Sequence, residues 1–190
     1  MIRLRYGNTN TYYKNGLLID TDMPGTMPGL CRELKRNGLS LRDVRFVIAT
    51  HYHPDHVGLI GELTERGTRL VLLAHQKPYV HVADPIFARQ KNVPCVPIRE
   101  ENVLVITPDE SRAFLAALGI SGEIVPTSSH SPDGIALVTD GGDCFVGDVE
   151  PLSFLSGYEH NEPLRADWDA LLCRGARHVF FGHANDVTLP

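Results

Sequence analysis

The chain has 190 residues, 43% of them hydrophobic and 22% charged, which suits a globular protein with a single core and one domain over 1–190. A net charge of −5 and the lack of any Lys/Arg cluster argue against nucleic-acid partners and for a small, neutral or moderately anionic substrate. No stretch approaches the roughly 20 apolar residues that span a bilayer, and MIRLRYGNTN has no apolar signal core, so no membrane partner and a cytoplasmic setting are expected.

The first elements read as strands. IRLRY and NTYYKNGLLIDT alternate as antiparallel strands do, and Asn15-Gly16 is a hairpin turn signal. A loop follows at Asp22-Met-Pro-Gly. MPGLCRELKRNGL then carries Leu30, Cys31 and Leu34 at helical spacing, with Gly38 as its stop. VRFVIAT, residues 44–50, is a near-continuous apolar run, as in a strand buried on both faces. HVGLIGELTERG predicts one helix with Val57, Ile60 and Leu63 on a stripe, ended by Gly67, and RLVLLA predicts another buried strand. Residues 75–102 are the least regular, with short helices and loops expected.

VLVI predicts a short strand and SRAFLAALG a helix. EIVPTSS, GIALVTD and DCFVGDV are expected as strands, with Gly141-Gly142 as a tight turn. EPLRADWDALLCRG is an amphipathic helix in which Trp168 reads as core, and HVFFGH is a last buried strand. This order predicts an α/β protein, sheets covered by helices, with polar residues at the carboxyl ends of strands. Cys31, Cys95, Cys144 and Cys173 form no CxxC pair, so reduced, mostly buried thiols are expected rather than a zinc knuckle or redox motif.

The densest chemistry is THYHPDHVG, residues 50–58, directly after the apolar run. In an extended segment His51 and His53 share a side. His53 precedes Pro54, which favours extended backbone, and Pro54 suits the first turn of a helix. Asp55 and His56 then project differently, which makes two sub-sites. Further polar residues follow apolar runs: His130 in TSSHSPDG, Asp148 in CFVGDV and His183 in VFFGHA.

This pattern resembles the metallo-β-lactamase superfamily, whose signature is His-x-His-x-Asp-His, then a His, a bridging Asp and a final His. The opening NTNTYYKNGLLIDTDMPG is similar to the family's start as well. The resemblance covers nearly the whole chain and implies a four-layered αβ/βα sandwich of two mixed β-sheets flanked by helices. It implies that His51, His53 and His130 bind one metal, that Asp55, His56 and His183 bind a second, and that Asp148 bridges them. Asp55 and Asp148 are then the catalytic carboxylates. Two divalent ions are implied, zinc first, with iron or manganese compatible with the same donors. A hydroxide held between them is the implied nucleophile. Asp20, at the end of LLID, is the candidate for orienting a ligand histidine; a plain strand-end carboxylate is the alternative. Tyr158 and His160 are candidates to line the substrate cleft. The chain departs from the usual pattern at Ser129 and Asp22, where the family often has Gly.

Within the superfamily, Asp148 disfavours the β-lactamases with Cys at the bridging position. The resemblance is to a glyoxalase II-like core without the helical glutathione-binding domain, since the chain ends soon after His183. His53 disfavours the flavodiiron branch, which has Glu there. A compact hydrolase of a small ester, thioester or lactone is the resulting expectation. A persulfide dioxygenase-like oxidoreductase with one iron on His51, His130 and Asp148 is the alternative, and a phosphodiesterase of small phosphodiesters another. The oligomeric state is open; an exposed strand edge or apolar helix face would suit a homodimer.

Overall fold

The structure is a computed structural model that describes residues 1–90, 93, 95–157 and 161–189. It divides into two compact units, Met1–Ile106 and Thr107–Pro190, each built on one mixed sheet.

The first unit runs β1 (Ile2–Leu4), β2 (Thr11–Lys14), β3 (Leu17–Ile19), α1 (Met27–Arg36), β4 (Phe46–Ile48), α2 (Pro54–Val57), α3 (Ile60–Glu65), β5 (Arg69–Leu73), α4 (Asp84–Phe87) and β6 (Leu104–Ile106). Its strands lie side by side in chain order. β1 to β3 are antiparallel, and β3 to β6 are parallel. The β2–β3 hairpin turns on Asn15 at φ 51° and Gly16 at φ 92°, the positive values such a tight turn needs. α1 buries Leu30 and Leu34 and ends at Gly38, whose φ of 72° lets Leu39 N donate back to the Leu34 carbonyl at 2.9 Å. The core gathers Leu18, Leu30, Leu34, Val47, Leu63 and Leu70, each buried side chain contributing about 1.5–3 kcal/mol.

The single helix expected over 56–67 is broken into α2 and α3. The cause is the loop after β3. Thr21 N donates to the His56 carbonyl at 3.0 Å and Leu59 N to Thr21 Oγ1 at 3.2 Å, which diverts the helical ladder. Gly58 lies so close beneath Pro24 that a Cβ there would collide with the Pro24 nitrogen.

The second unit runs α5 (Pro108–Ala117), β7 (Gly122–Pro126), β8 (Ile135–Thr139), β9 (Asp143–Gly147), α6 (Glu162–Leu172), β10 (His178–Phe181) and β11 (Val187–Thr188). Thr107 and Glu110 form a reciprocal capping box that starts α5 before the expected Ser111. The sheet order is β11-β10-β9-β8-β7, and only β9 and β10 are parallel neighbours. β8 is buried along its whole length. Trp168 is fully buried with Val138, Cys144, Leu171 and Val179, and its Nε1 donates to the Glu150 carbonyl at 2.9 Å. β11 was not apparent in the sequence, because a two-residue edge strand has no period to read. Among the described residues no helix is long and apolar enough to cross a membrane.

All four cysteines are free thiols, but only Cys144 is buried; Cys31 and Cys95 are half-buried and Cys173 is exposed just past α6. Burial pushes the Cys144 thiol up to about 12. In a thiol-labelling time course at pH 8, Cys173 should react promptly and Cys144 only on unfolding, as peptide mass mapping would show; early labelling of Cys144 would contradict this packing.

Candidate metal centre

Parallel strands put their carboxyl ends on one edge, and the first unit uses this directly. Ile19 of β3 is in register with Ile48 of β4, so Asp20 and the segment beginning at Thr50 emerge side by side. Asp20 N donates to the Ile48 carbonyl at 2.8 Å. Asp20 itself stands at φ 59°, left-handed backbone that Asp tolerates better than most residues but still at a cost of about 1–3 kcal/mol. Its buried carboxylate accepts Thr50 N at 2.6 Å, Thr50 Oγ1 at 2.9 Å and His56 Nδ1 at 3.0 Å.

These bonds fix tautomers. His56 Nδ1 carries the proton toward Asp20, which leaves Nε2 as a lone-pair donor. Thr50 spends its hydroxyl proton on Asp20, so its oxygen can accept from His51 Nδ1 at 3.2 Å. His51 Nε2 is thereby the ring's lone-pair donor. It lies 2.9 Å from His53 Nδ1, and the His51 and His56 ring centroids are 4.1 Å apart. Two imidazole nitrogens at that distance are within hydrogen-bond reach, and both belong to the donor class that a divalent metal ion takes. His53 has extended backbone at ψ 151° just ahead of Pro54, as its position before proline predicts. Asp55 sits in the first turn of α2, with its carbonyl held by Thr9 Oγ1 at 2.7 Å. The two expected sub-sites are less separate than the alternation of side chains implied, since the His51 ring adjoins both His53 and His56.

The second unit repeats the device. β7, β9 and β10 run in one direction, so His130, Asp148 and His183 leave the sheet at one edge. Asp148 Oδ2 is 3.7 Å from His130 Nε2 and 3.5 Å from His183 Nε2. The register of β9 against β10 slips between Phe180 and Phe181, and Gly147 takes φ 61°. This bulge turns the chain where Asp148 must face inward. A pocket of about 300 Å³ opens there, lined by His130, Asp148, His183, Pro151 and Phe181 among others. All seven expected ligand residues thus offer an imidazole nitrogen or carboxylate oxygen of the kind that holds a metal ion. Tyr158 and His160 lie outside the described residues.

The family model described as "Metallo-beta-lactamase superfamily" matches residues 7–176. The chain belongs to the metallo-beta-lactamase superfamily. Solved structures agree on its fold, two mixed sheets flanked by helices. A metallo-beta-lactamase family protein from Thermus thermophilus, TTHA1429, is 22% identical with a TM-score of 0.68, over 95% of this chain and 70% of that one. TTHA1623, solved in a di-iron-bound form, is 24% identical with a TM-score of 0.68, over 98% and 93%. A Thermotoga maritima protein, tm0894, described as a candidate metallo-beta-lactamase is 18% identical with a TM-score of 0.69, over 98% and 91%. No curated protein matches significantly.

The two departures from the superfamily pattern have structural roles. Asp22 is buried and turns its carboxylate back to Thr9 N at 3.1 Å and Met23 N at 2.6 Å. The space it fills is left by Gly7, where a Cβ would collide with Asp22 Oδ2. Ser129 N donates to Asp167 Oδ2 at 2.8 Å, and Ser128 N donates to the same carboxylate at 2.9 Å. Asp167 is therefore the residue that shapes the turn before His130, and the sequence reading missed it. The signal was an acid on the buried stripe of α6, between Leu164 and Leu171. Replacing Asp167 with Leu leaves two amides without their acceptor. We expect a loss of about 2 kcal/mol or more in denaturant unfolding; an unchanged midpoint would refute the anchoring role.

Proposed function

We propose that the chain is a metal-dependent hydrolase of a small ester, thioester or lactone. The observation that carries this reading is the gathering of ligand-type side chains at one sheet edge in each unit, in a chain that the superfamily model matches over residues 7–176. The proposed ligand sets are His51, His53 and His130 for one divalent ion and Asp55, His56 and His183 for the other, with Asp148 shared. Their nitrogen and carboxylate donors suit zinc, and the di-iron form of TTHA1623 supports iron as the other candidate. When bound, such ions would supply a water acidified to about 7 and positive charge for the developing oxyanion.

The chain's own contribution is orientation and proton handling. Asp20 holds the His56 Nδ1 proton and, through Thr50, the His51 Nδ1 proton, so both rings present Nε2 without rotation. Asp55 and Asp148 are the proposed catalytic carboxylates, with Asp55 Oδ taking the proton lost by the attacking water. Water oxygen joins the acyl carbon, the carbon–oxygen or carbon–sulfur bond breaks, and the released alcohol or thiol takes up the proton. A small-molecule substrate, without nucleic-acid or membrane partners and in a cytoplasmic setting, belongs to the same proposal.

Metal analysis of the purified, metal-supplied protein should return close to two ions per chain, and single occupancy would sink the dinuclear reading. In a panel of a thioester, a lactone, an aryl phosphodiester, a β-lactam and glutathione persulfide, turnover should fall on the first two. Asp148→Ala should cost more than about 100-fold in kcat/KM with the circular dichroism spectrum unchanged. Asp20→Asn, which tolerates the left-handed backbone but cannot accept the His56 proton in the same way, should cost about 10–100-fold. Full activity in either variant would overturn the role assigned to it.

A further inference from the structure

A second cavity in the same unit adjoins the pocket of His130, Asp148 and His183. It has a volume of about 270 Å³ and is walled by Leu152, Trp168, Phe181, Val187 and Leu189. Pro151 and Phe181 line both cavities, so the two share a wall. Their chemistry differs sharply. The metal-side pocket carries imidazoles and carboxylates, whereas the recess has no charged residue among the described residues that line it, and its hydroxyl side chains are those of Ser153 and Thr188. Trp168 contributes only ring carbon, because its one donor is spent on the Glu150 carbonyl. Phe181 is also buried, and Val187 stands 42% exposed at the mouth.

We propose that this recess seats an uncharged apolar arm of the substrate while the scissile carbonyl lies at Asp148 and His183. The proposal rests on the hydrolase reading for the carbonyl and on the recess alone for the arm. The volume is below the roughly 300–1,000 Å³ of a pocket that encloses a whole drug-sized ligand, so the recess takes one group, an unbranched chain or a single ring. A charged arm is excluded because nothing in the described lining would repay its lost hydration. The substrate class is therefore an amphiphilic ester, thioester or lactone with a short alkyl or aryl arm, on either the acyl or the leaving side.

The chain contains one tryptophan, and it lies in this wall, so its fluorescence reads occupancy without any turnover. Straight-chain 1-alkanols from butanol to octanol should give saturable changes in the metal-loaded protein. Affinity should tighten about fourfold per methylene, the equivalent of about 0.8 kcal/mol. Val187→Glu or Ser153→Glu, each placing a charge at the recess, should weaken octanol binding at least tenfold. No saturable change in the folded wild-type protein, or affinities independent of chain length, would overturn the recess. A parallel series of aryl esters with lengthening acyl chains, and of acetates with lengthening alcohols, should show kcat/KM rising in one of the two. Hydrolysis that is flat in both series overturns the proposal. Normal alkanol binding with no hydrolysis of any ester supports the recess and overturns the hydrolase reading instead.

Discussion

Imidazole rings crowded as closely as His51, His53 and His56 stay in place only if something behind each ring fixes both its angle and its proton. In the first unit that is the Asp20 carboxylate for the His51 and His56 rings. It takes the amide and hydroxyl of Thr50 and the Nδ1 proton of His56, and through Thr50 it reaches His51. The bonds need a carboxylate at the end of β3 aimed sideways at β4, and Asp20 takes that aim from a left-handed backbone. A local cost of about 1–3 kcal/mol is offset by several buried hydrogen bonds to a charged acceptor, each worth about 1.5–3 kcal/mol. The strain and the orientation of the donors are thus one feature.

Strand direction extends the same economy. The seven expected ligand residues each follow the carboxyl end of a strand, and the strands concerned run in one direction within each sheet. Small irregularities then aim the side chains. The slip between β9 and β10, with Gly147 at positive φ, redirects Asp148, and the carboxylate of Asp167 on α6 gathers the amides of Ser128 and Ser129 ahead of His130. The loop after β3 does comparable work on the other sheet. Asp22 fits against Gly7, and Thr21 captures the His56 carbonyl, so that α2 stops after one turn. The apolar recess beside Asp148 and His183 arises in the same way, from the short β11 lying beyond β10.

Much of this was legible in the chain. Asn15-Gly16 announced its hairpin because few other dipeptides accept two positive φ values. VRFVIA and GIALVT announced buried strands because near-continuous apolar runs of that length have few other uses, although Arg45 in the first of them is exposed. Trp168 read as core and is. The continuous helix over 56–67 was misread, because its period is helical and the interruption comes from a loop over 30 residues earlier. The thiols were misjudged for a related reason: Cys173 ends an amphipathic helix, and composition does not say which side of the last turn meets water. Asp167 escaped notice because its partners are backbone amides, which have no letter in a sequence.

Residue chemistry and spacing, by themselves, determined which donors exist, which strands bury both faces and which family the chain resembles. Those properties are local, set by φ preferences, periodicity and the identity of ligand atoms. Only the tertiary structure decided which carboxylate stands behind which imidazole, where the helix after His53 breaks, and that an apolar recess shares a wall with Asp148 and His183. Each of these depends on strand register and on contacts between residues distant in sequence, and a register shift of one residue would reverse every side chain without changing a single letter.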